Sequence, residues 1–147
     1  MELIVTVGNI GTGKTSYVKE HYEGLEDTVI VRPDEWTDLN KDQKQKKLFN
    51  EVEKGLKENK RVVIDGPNLT KKVRSTFLFF KRIAEKEGVK GIAEIIDFGP
   101  GDNNSLKRRI DNSPSTSSEE WSKEHKDNQE LYEKPELSEG YDKIEKL

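Results

Sequence analysis

The sequence predicts an α/β fold, a three-layer arrangement in which a mostly parallel five-stranded sheet carries helices on both faces. Two observations support it. Short runs of β-prone residues alternate along the chain with longer segments of helical periodicity, the pattern of right-handed strand–helix–strand crossovers. The first run, Leu3, Ile4, Val5 and Val7, is nearly unbroken, as a parallel strand covered on both faces by helices must be.

The elements follow in order. After the first strand and a glycine-rich turn, Tyr17, Val18 and Tyr22 fall on one helical face. "TVIV" at 28–31 reads as a second strand, followed by "RPDEW". Residues 41–60 place Leu48, Val52 and Leu56 four apart in a highly charged segment, which makes a single apolar stripe on a solvated helix. "RVVIDG" at 61–66 reads as a third strand stopped by Gly66 and Pro67. Thr70 then suits a helix N-cap, with Val73, Phe77, Phe80 and Ala84 at helical spacing and a stop at Gly88. "GIAEIIDFGPG" at 91–101 supplies a fourth strand and "YDKIEKL" a weaker fifth. Residues 99–130 have only Leu106, Ile110 and Trp121 as large apolar side chains, so they read either as a mobile lid or as disorder.

With 147 residues, the length suits one domain. Hydrophobic residues make up 31% and charged residues 37% of the chain, so the core must be concentrated in a few strands and helix faces. The net charge of −3 neither demands nor excludes a nucleic-acid partner, since a local basic groove can sit in an acidic whole. Cysteine is absent, which excludes disulfides and thiolate zinc sites. No secretory signal pattern opens the chain and no apolar stretch nears the ~20 residues of a membrane helix, so the expected setting is soluble and cytoplasmic, with no membrane partner.

The chemistry concentrates in "GNIGTGKTS", residues 8–16. Gly8, Gly13, Lys14 and Thr15 match the spacing of a phosphate-cradling loop, the P-loop, set between a strand and a helix. Holding a polyphosphate needs successive backbone N–H groups aimed into one concavity, and side chains at Gly8, Gly11 or Gly13 would block that approach or resist the dihedrals. Gly8, Asn9, Ile10, Gly11, Thr12, Gly13, Lys14, Thr15 and Ser16 are therefore the expected contacts of a nucleoside triphosphate. Lys14 would meet the β- and γ-phosphates and Thr15 would ligate magnesium.

Beyond this loop, "VRPDEW", "VVIDGPNLTKKVR" and the closing "YEKPELSEGYDKI" together resemble the kinase domain of the 5′-polynucleotide kinase family, P-loop phosphotransferases that phosphorylate nucleic-acid 5′-hydroxyls. The likeness covers nearly the whole chain. It implies one P-loop kinase domain over 1–147 with a lid near 99–130, and sheet order 2-3-1-4-5 with the active site at the strand carboxyl ends. It also implies ATP or another NTP with Mg2+, and a single-stranded DNA or RNA 5′ end as acceptor. Asp34 matches the family's base on the acceptor hydroxyl, the alternative being a cap on a helix beginning near Glu35, since Pro33-Asp34 is good turn chemistry. Asp65 resembles the acid that holds magnesium, the alternative being a turn-forming residue before Gly66-Pro67.

Asn68 and Arg74 match acceptor-site positions or are merely capping and surface groups. Arg108 and Arg109 fall where the family has lid arginines that meet the phosphates or the base. Trp36 could stack an acceptor base or serve the core, and the run from Lys41 to Lys47 could track a phosphate backbone or be a solvated helix face. His21 and His125 read as solvated. The chain departs from the family at Thr37 and near Asn112 and Ser113, where arginines are usual. Those departures keep open a kinase of a small acceptor (nucleoside, nucleotide, sugar or nucleotide-sugar, as in zeta-type toxins) and a nucleotide-binding regulator without transfer activity.

Overall fold

The computed structural model describes residues 1–147. β1 (Glu2–Gly8) leads into α1 (Lys14–Tyr22), then β2 (Thr28–Val31), a 3-10 turn (Pro33–Glu35), α2 (Lys41–Lys57), β3 (Arg61–Ile64) and α3 (Lys71–Lys86). β4 (Ile92–Gly99), α4 (Asn103–Asn112), α5 (Ser118–Leu131), a second 3-10 turn (Leu137–Glu139) and β5 (Lys143–Lys146) complete the chain. The strands form one sheet in the order β2-β3-β1-β4-β5. Every strand pair is parallel, so the expected mostly parallel sheet is parallel throughout.

The period-2 alternation of strands divides the core between the two faces. Leu3, Val5, Val7, Val62, Ile64 and Ile95 face α2 and α3, where Val52, Leu56, Phe77, Leu78 and Ala84 meet them. Ile4, Val63 and Ile96 face the opposite way and pack with Val18 of α1, flanked by Tyr17, Tyr22, Ile30 and Phe98. β1 lies between β3 and β4 and is buried from Leu3 through Gly8. Removing a fully buried ring such as Phe77 would cost about 3–5 kcal/mol.

Local signals fix the helix ends. Asn40 caps α2 by accepting from the Gln43 N–H while the Gln43 side chain accepts from the Asn40 N–H. Thr70 caps α3 through the Val73 N–H, as expected. α2 stops at Lys57, short of residue 60, because the chain turns through Asn59 at φ 60° to enter β3. Of the apolar stripe on α3, Phe77 and Ala84 are buried, whereas Val73 is exposed.

The largest difference from expectation lies at 99–130. The segment folds as the α4–α5 hairpin, and the disorder alternative falls. Asp102 caps α4 through Ser105, and Ser117 caps α5 through Glu120. Leu106, Ile110 and Trp121 are all half-buried. His125 is a second correction: it is buried, not solvated, and its Nε2 shares a 2.9 Å hydrogen bond with Ser105 Oγ. Burial pushes its imidazole below the usual range, so it stays neutral near pH 7. His21 is exposed and stacks on Tyr17, its ring centre 3.8 Å away.

Candidate active site

β1 delivers the P-loop to the carboxyl edge of the sheet. The loop's start is pinned from both neighbouring strands, since the Gly8 N–H donates to Pro67 O and the Asn9 N–H donates to Gly99 O. Gly11 (φ 70°) is required by contact: a Cβ there would lie 1.9 Å from the Ser105 carbonyl oxygen of α4. Gly13 (φ 97°) is required by conformation, with open space around it. Gly13 is also the N-cap of α1 and carries no capping side chain, which leaves the first N–H groups of α1 available to an anion.

Asn9 is fully buried and acts as the loop's anchor. Its Nδ2 donates to Pro100 O and to His125 O, both at 2.8 Å, and its Oδ1 accepts from the Ile10 N–H. The P-loop is thereby bolted to the hairpin that begins after β4. Thr12 Oγ1 donates to Asn9 O at 2.7 Å, and Lys14 Nζ donates to the same oxygen at 2.6 Å. Burial lowers the Lys14 pKa to about 8, with Arg109 adding repulsion and Asp65, Asp34 and Glu124 opposing the shift. Lys14 therefore remains a cation at pH 7.

Asp65 sits at the end of β3 and is buried. Its Oδ2 accepts from Thr15 Oγ1 at 3.0 Å and from Arg32 Nε. The carboxylate is thus aimed at Thr15, which removes the reading of Asp65 as a simple turn residue. Sequence reasoning missed Arg32. Its role appears only in the folded sheet: β2 and β3 pair in register through Val31 and Ile64, so the next residues on the two strands, Arg32 and Asp65, stand side by side with opposite charge. Asp34 lies inside the 3-10 turn at Pro33–Glu35 and makes no capping hydrogen bond, while α2 has its own cap in Asn40. The capping reading of Asp34 therefore does not hold.

These groups line one cavity of about 340 Å³. Its wall combines Ile10, Gly11, Gly13, Lys14, Thr15 and Ser16 of the loop with Asp34, Asp65, Gly66 and Pro67. Arg108, Arg109 and Asn112 of α4, and Glu124 and Asn128 of α5, complete it. Such a polar lining suits phosphates and hydroxyls far better than an apolar ligand. Glu124 and Asn128, one turn apart on α5, were not anticipated, because reading 99–130 as a lid or as disorder gave no helix face to assign them to. Gly8, Asn9 and Thr12 do not line the cavity but support it from behind.

The hairpin arginines differ from one another. Arg108 Nε donates to Gly11 O at 2.9 Å and so clips α4 to the P-loop. Arg109 is stacked over the Trp121 ring, 5.1 Å from its centre, and its buried Nε has no hydrogen-bond partner. A buried, unpartnered guanidinium N–H at a cavity wall fits an anionic ligand.

Three expected acceptor contacts lie apart from this cavity. Asn68 is buried, and its Nδ2 donates to Thr6 O at 2.9 Å, which holds the Gly66-Pro67 turn against β1. Arg74 is completely buried and paired with Glu139. Both are corrections, since side chains committed to backbone and carboxylate partners beneath the surface do not present themselves to an acceptor. Trp36 packs half-buried against the core, with Lys47 Nζ 4.4 Å above its ring.

A glycine loop between a central parallel strand and a helix, with a lysine, a hydroxyl and a carboxylate converging on it, defines a nucleotide-binding P-loop protein of the kinase type. The chain belongs to the AAA_33 family (AAA domain), which matches residues 3–112. No curated protein sequence matches it. In fold it is similar to a fungal RNA kinase, with a TM-score of 0.69 at 15% identity over 100% of this chain and 75% of that one. Kti12 of Chaetomium thermophilum, in complex with ADP-AlF3, gives 0.66 at 16% identity over 99% and 88%. A gluconokinase from Sinorhizobium meliloti 1021 gives 0.57 at 14% identity over 99% and 81%. These likenesses establish the three-layer P-loop kinase fold.

Proposed function

We propose that residues 1–147 form one ATP-dependent kinase unit that transfers the γ-phosphoryl group to the 5′-hydroxyl of a DNA or RNA strand. The observation that carries this reading is that Asp34, Lys14 and the Thr15–Asp65 pair line a single cavity. In-line transfer needs a cradle for the triphosphate and a carboxylate on the far side to orient the attacking hydroxyl and take its proton. Asp34 is exposed at the cavity wall and has no competing partner. As the new P–O bond to the 5′ oxygen forms, the bond from the γ-phosphorus to the bridging oxygen breaks and ADP departs. Lys14 and Arg109 are the cations positioned to meet the charge on the transferring group. Thr15 and Asp65 would hold Mg2+, which supplies charge neutralisation to the phosphates.

The strand acceptor is supported by the motifs around Asp34 and at the chain end, and by the whole-chain likeness to a fungal RNA kinase. A second reading, a kinase for a small acceptor, is favoured by one observation: the cations lining the cavity, Lys14, Arg108 and Arg109, belong to α1 and α4, while Thr37 stands where an acceptor-side arginine is usual. The test is transfer of labelled γ-phosphate across 5′-hydroxyl oligonucleotides, nucleosides and sugars. Labelling of the oligonucleotides alone supports the proposal, and labelling of a small metabolite in preference to them overturns it.

A further inference from the structure

Of the two α4 arginines lining the cavity, Arg108 is held by a hydrogen bond to Gly11 O, and Arg109 must be fixed by other means. A free arginine side chain samples many rotamers, and holding it ready for an anion costs entropy unless something else fixes it. Here the fixing contact is visible. The Arg109 guanidinium lies over the indole of Trp121, and Trp121 Nε1 in turn donates to Ser113 O at 3.2 Å, so the ring is tied to the α4–α5 connection. The backbone side of Arg109 is equally constrained, because α4 lies against the P-loop at Gly11. A cation held over a ring face can still donate from its N–H groups, and Arg109 Nε has no protein partner.

We propose that Trp121 is a positioning residue whose indole face presets Arg109 toward the phosphate cavity. This rests on the reading of the cavity as a triphosphate site. Trp121 touches neither nucleotide nor acceptor in this account and acts only through Arg109. It also makes Trp121 a built-in optical reporter, because a guanidinium drawn onto a phosphate changes the field over the indole.

The experiment uses the full chain with Trp36→Phe, so that Trp121 is the only tryptophan. Adding a non-hydrolysable ATP analogue with magnesium should change Trp121 emission. The further change Arg109→Ala should abolish that response while calorimetry still detects the analogue. An unaltered response in the Arg109→Ala protein, or no response in the presence of measured binding, overturns the proposal. In the otherwise native chain, Trp121→Phe, which keeps a stacking face, should hold turnover within about threefold, while Trp121→Leu should lower kcat about tenfold with KM for ATP changed less than about threefold. Equal turnover of the native and Leu proteins overturns it too. If Trp121→Leu fails to fold, the Phe variant and the emission measurements decide. Should no acceptor be phosphorylated, the kinase reading fails while the emission result still judges Trp121. Absence of nucleotide binding removes both.

Discussion

Arg74 and Glu139 form a two-pronged ion pair beneath the surface, Nε to Oε1 at 2.8 Å and Nη2 to Oε2 at 3.1 Å, with the Arg74 side chain fully buried. The remaining donors are used as well: Nη1 reaches Asn68 O and Nη2 reaches Glu133 O, both at 3.0 Å. Two residues on, Tyr141 Oη donates to Arg74 O at 2.8 Å, and Gly140 turns between them at φ 112°. The closing Glu-Gly-aromatic pattern is thus a clasp that ties the segment leading into β5 to α3.

Breaking that clasp should show as lost stability. Arg74→Ala strands the Glu139 carboxylate and two carbonyls, and removing one partner of a buried pair costs about 3–5 kcal/mol. Arg74→Lys should recover only part, because an ammonium cannot reproduce the planar fork. Urea unfolding checks this. An unchanged midpoint together with a raised KM for the acceptor would return Arg74 to the acceptor site.

What was legible in the sequence follows from how local each signal is. The P-loop and the strand–helix alternation depend on neighbours in the chain, and both stand as read. The closing pattern was recognisable, but the role of Arg74 was not, because its partner lies 65 residues away in sequence. His125 looked solvated because α5 is polar along its length, and its burial comes from Gly101 and Ser105, contacts that exist only once the hairpin folds onto Asn9. Arg32 was hidden for a similar reason, since its meaning appears only when β2 lies beside β3.

Arg32→Ala should weaken both the fold and the hold on Asp65, the proposed magnesium ligand. Asp65 would keep only Thr15 as a partner in a buried position, at a cost of about 3 kcal/mol or more. Thermal melting should show a fall in Tm, and the magnesium concentration giving half-maximal nucleotide binding should rise. An unaltered Tm would mean that the Arg32–Asp65 contact contributes nothing to the fold.

Nucleotide affinity should depend on pH through Lys14, whose pKa is lowered to about 8 chiefly by burial. Below that value the ammonium is present and no proton need be gained. Above it, phosphate binding must take up a proton, so affinity should fall toward tenfold per pH unit between about pH 8 and 9.5. Calorimetry in buffers of different ionisation enthalpy would detect the uptake. In Lys14→Ala, affinity should be much reduced and this slope absent.

If the acceptor is a single strand, its KM should rise with salt, with a log-log slope near 0.7 for each phosphate neutralised. About two to four sensed phosphates suit the few cations at hand. A KM for the best acceptor that ignores salt would favour a small molecule.

The central claim is that Asp34 acts on the acceptor hydroxyl and not on the nucleotide. Asp34→Asn preserves shape but removes the basic carboxylate, and because Asp34 caps no helix, the fold should be indifferent to the change. Turnover of the best acceptor should therefore fall by roughly 10² to 10⁴, with ATP affinity within a few-fold of native and Tm unchanged. Near-native turnover in the Asn variant would contradict the assignment.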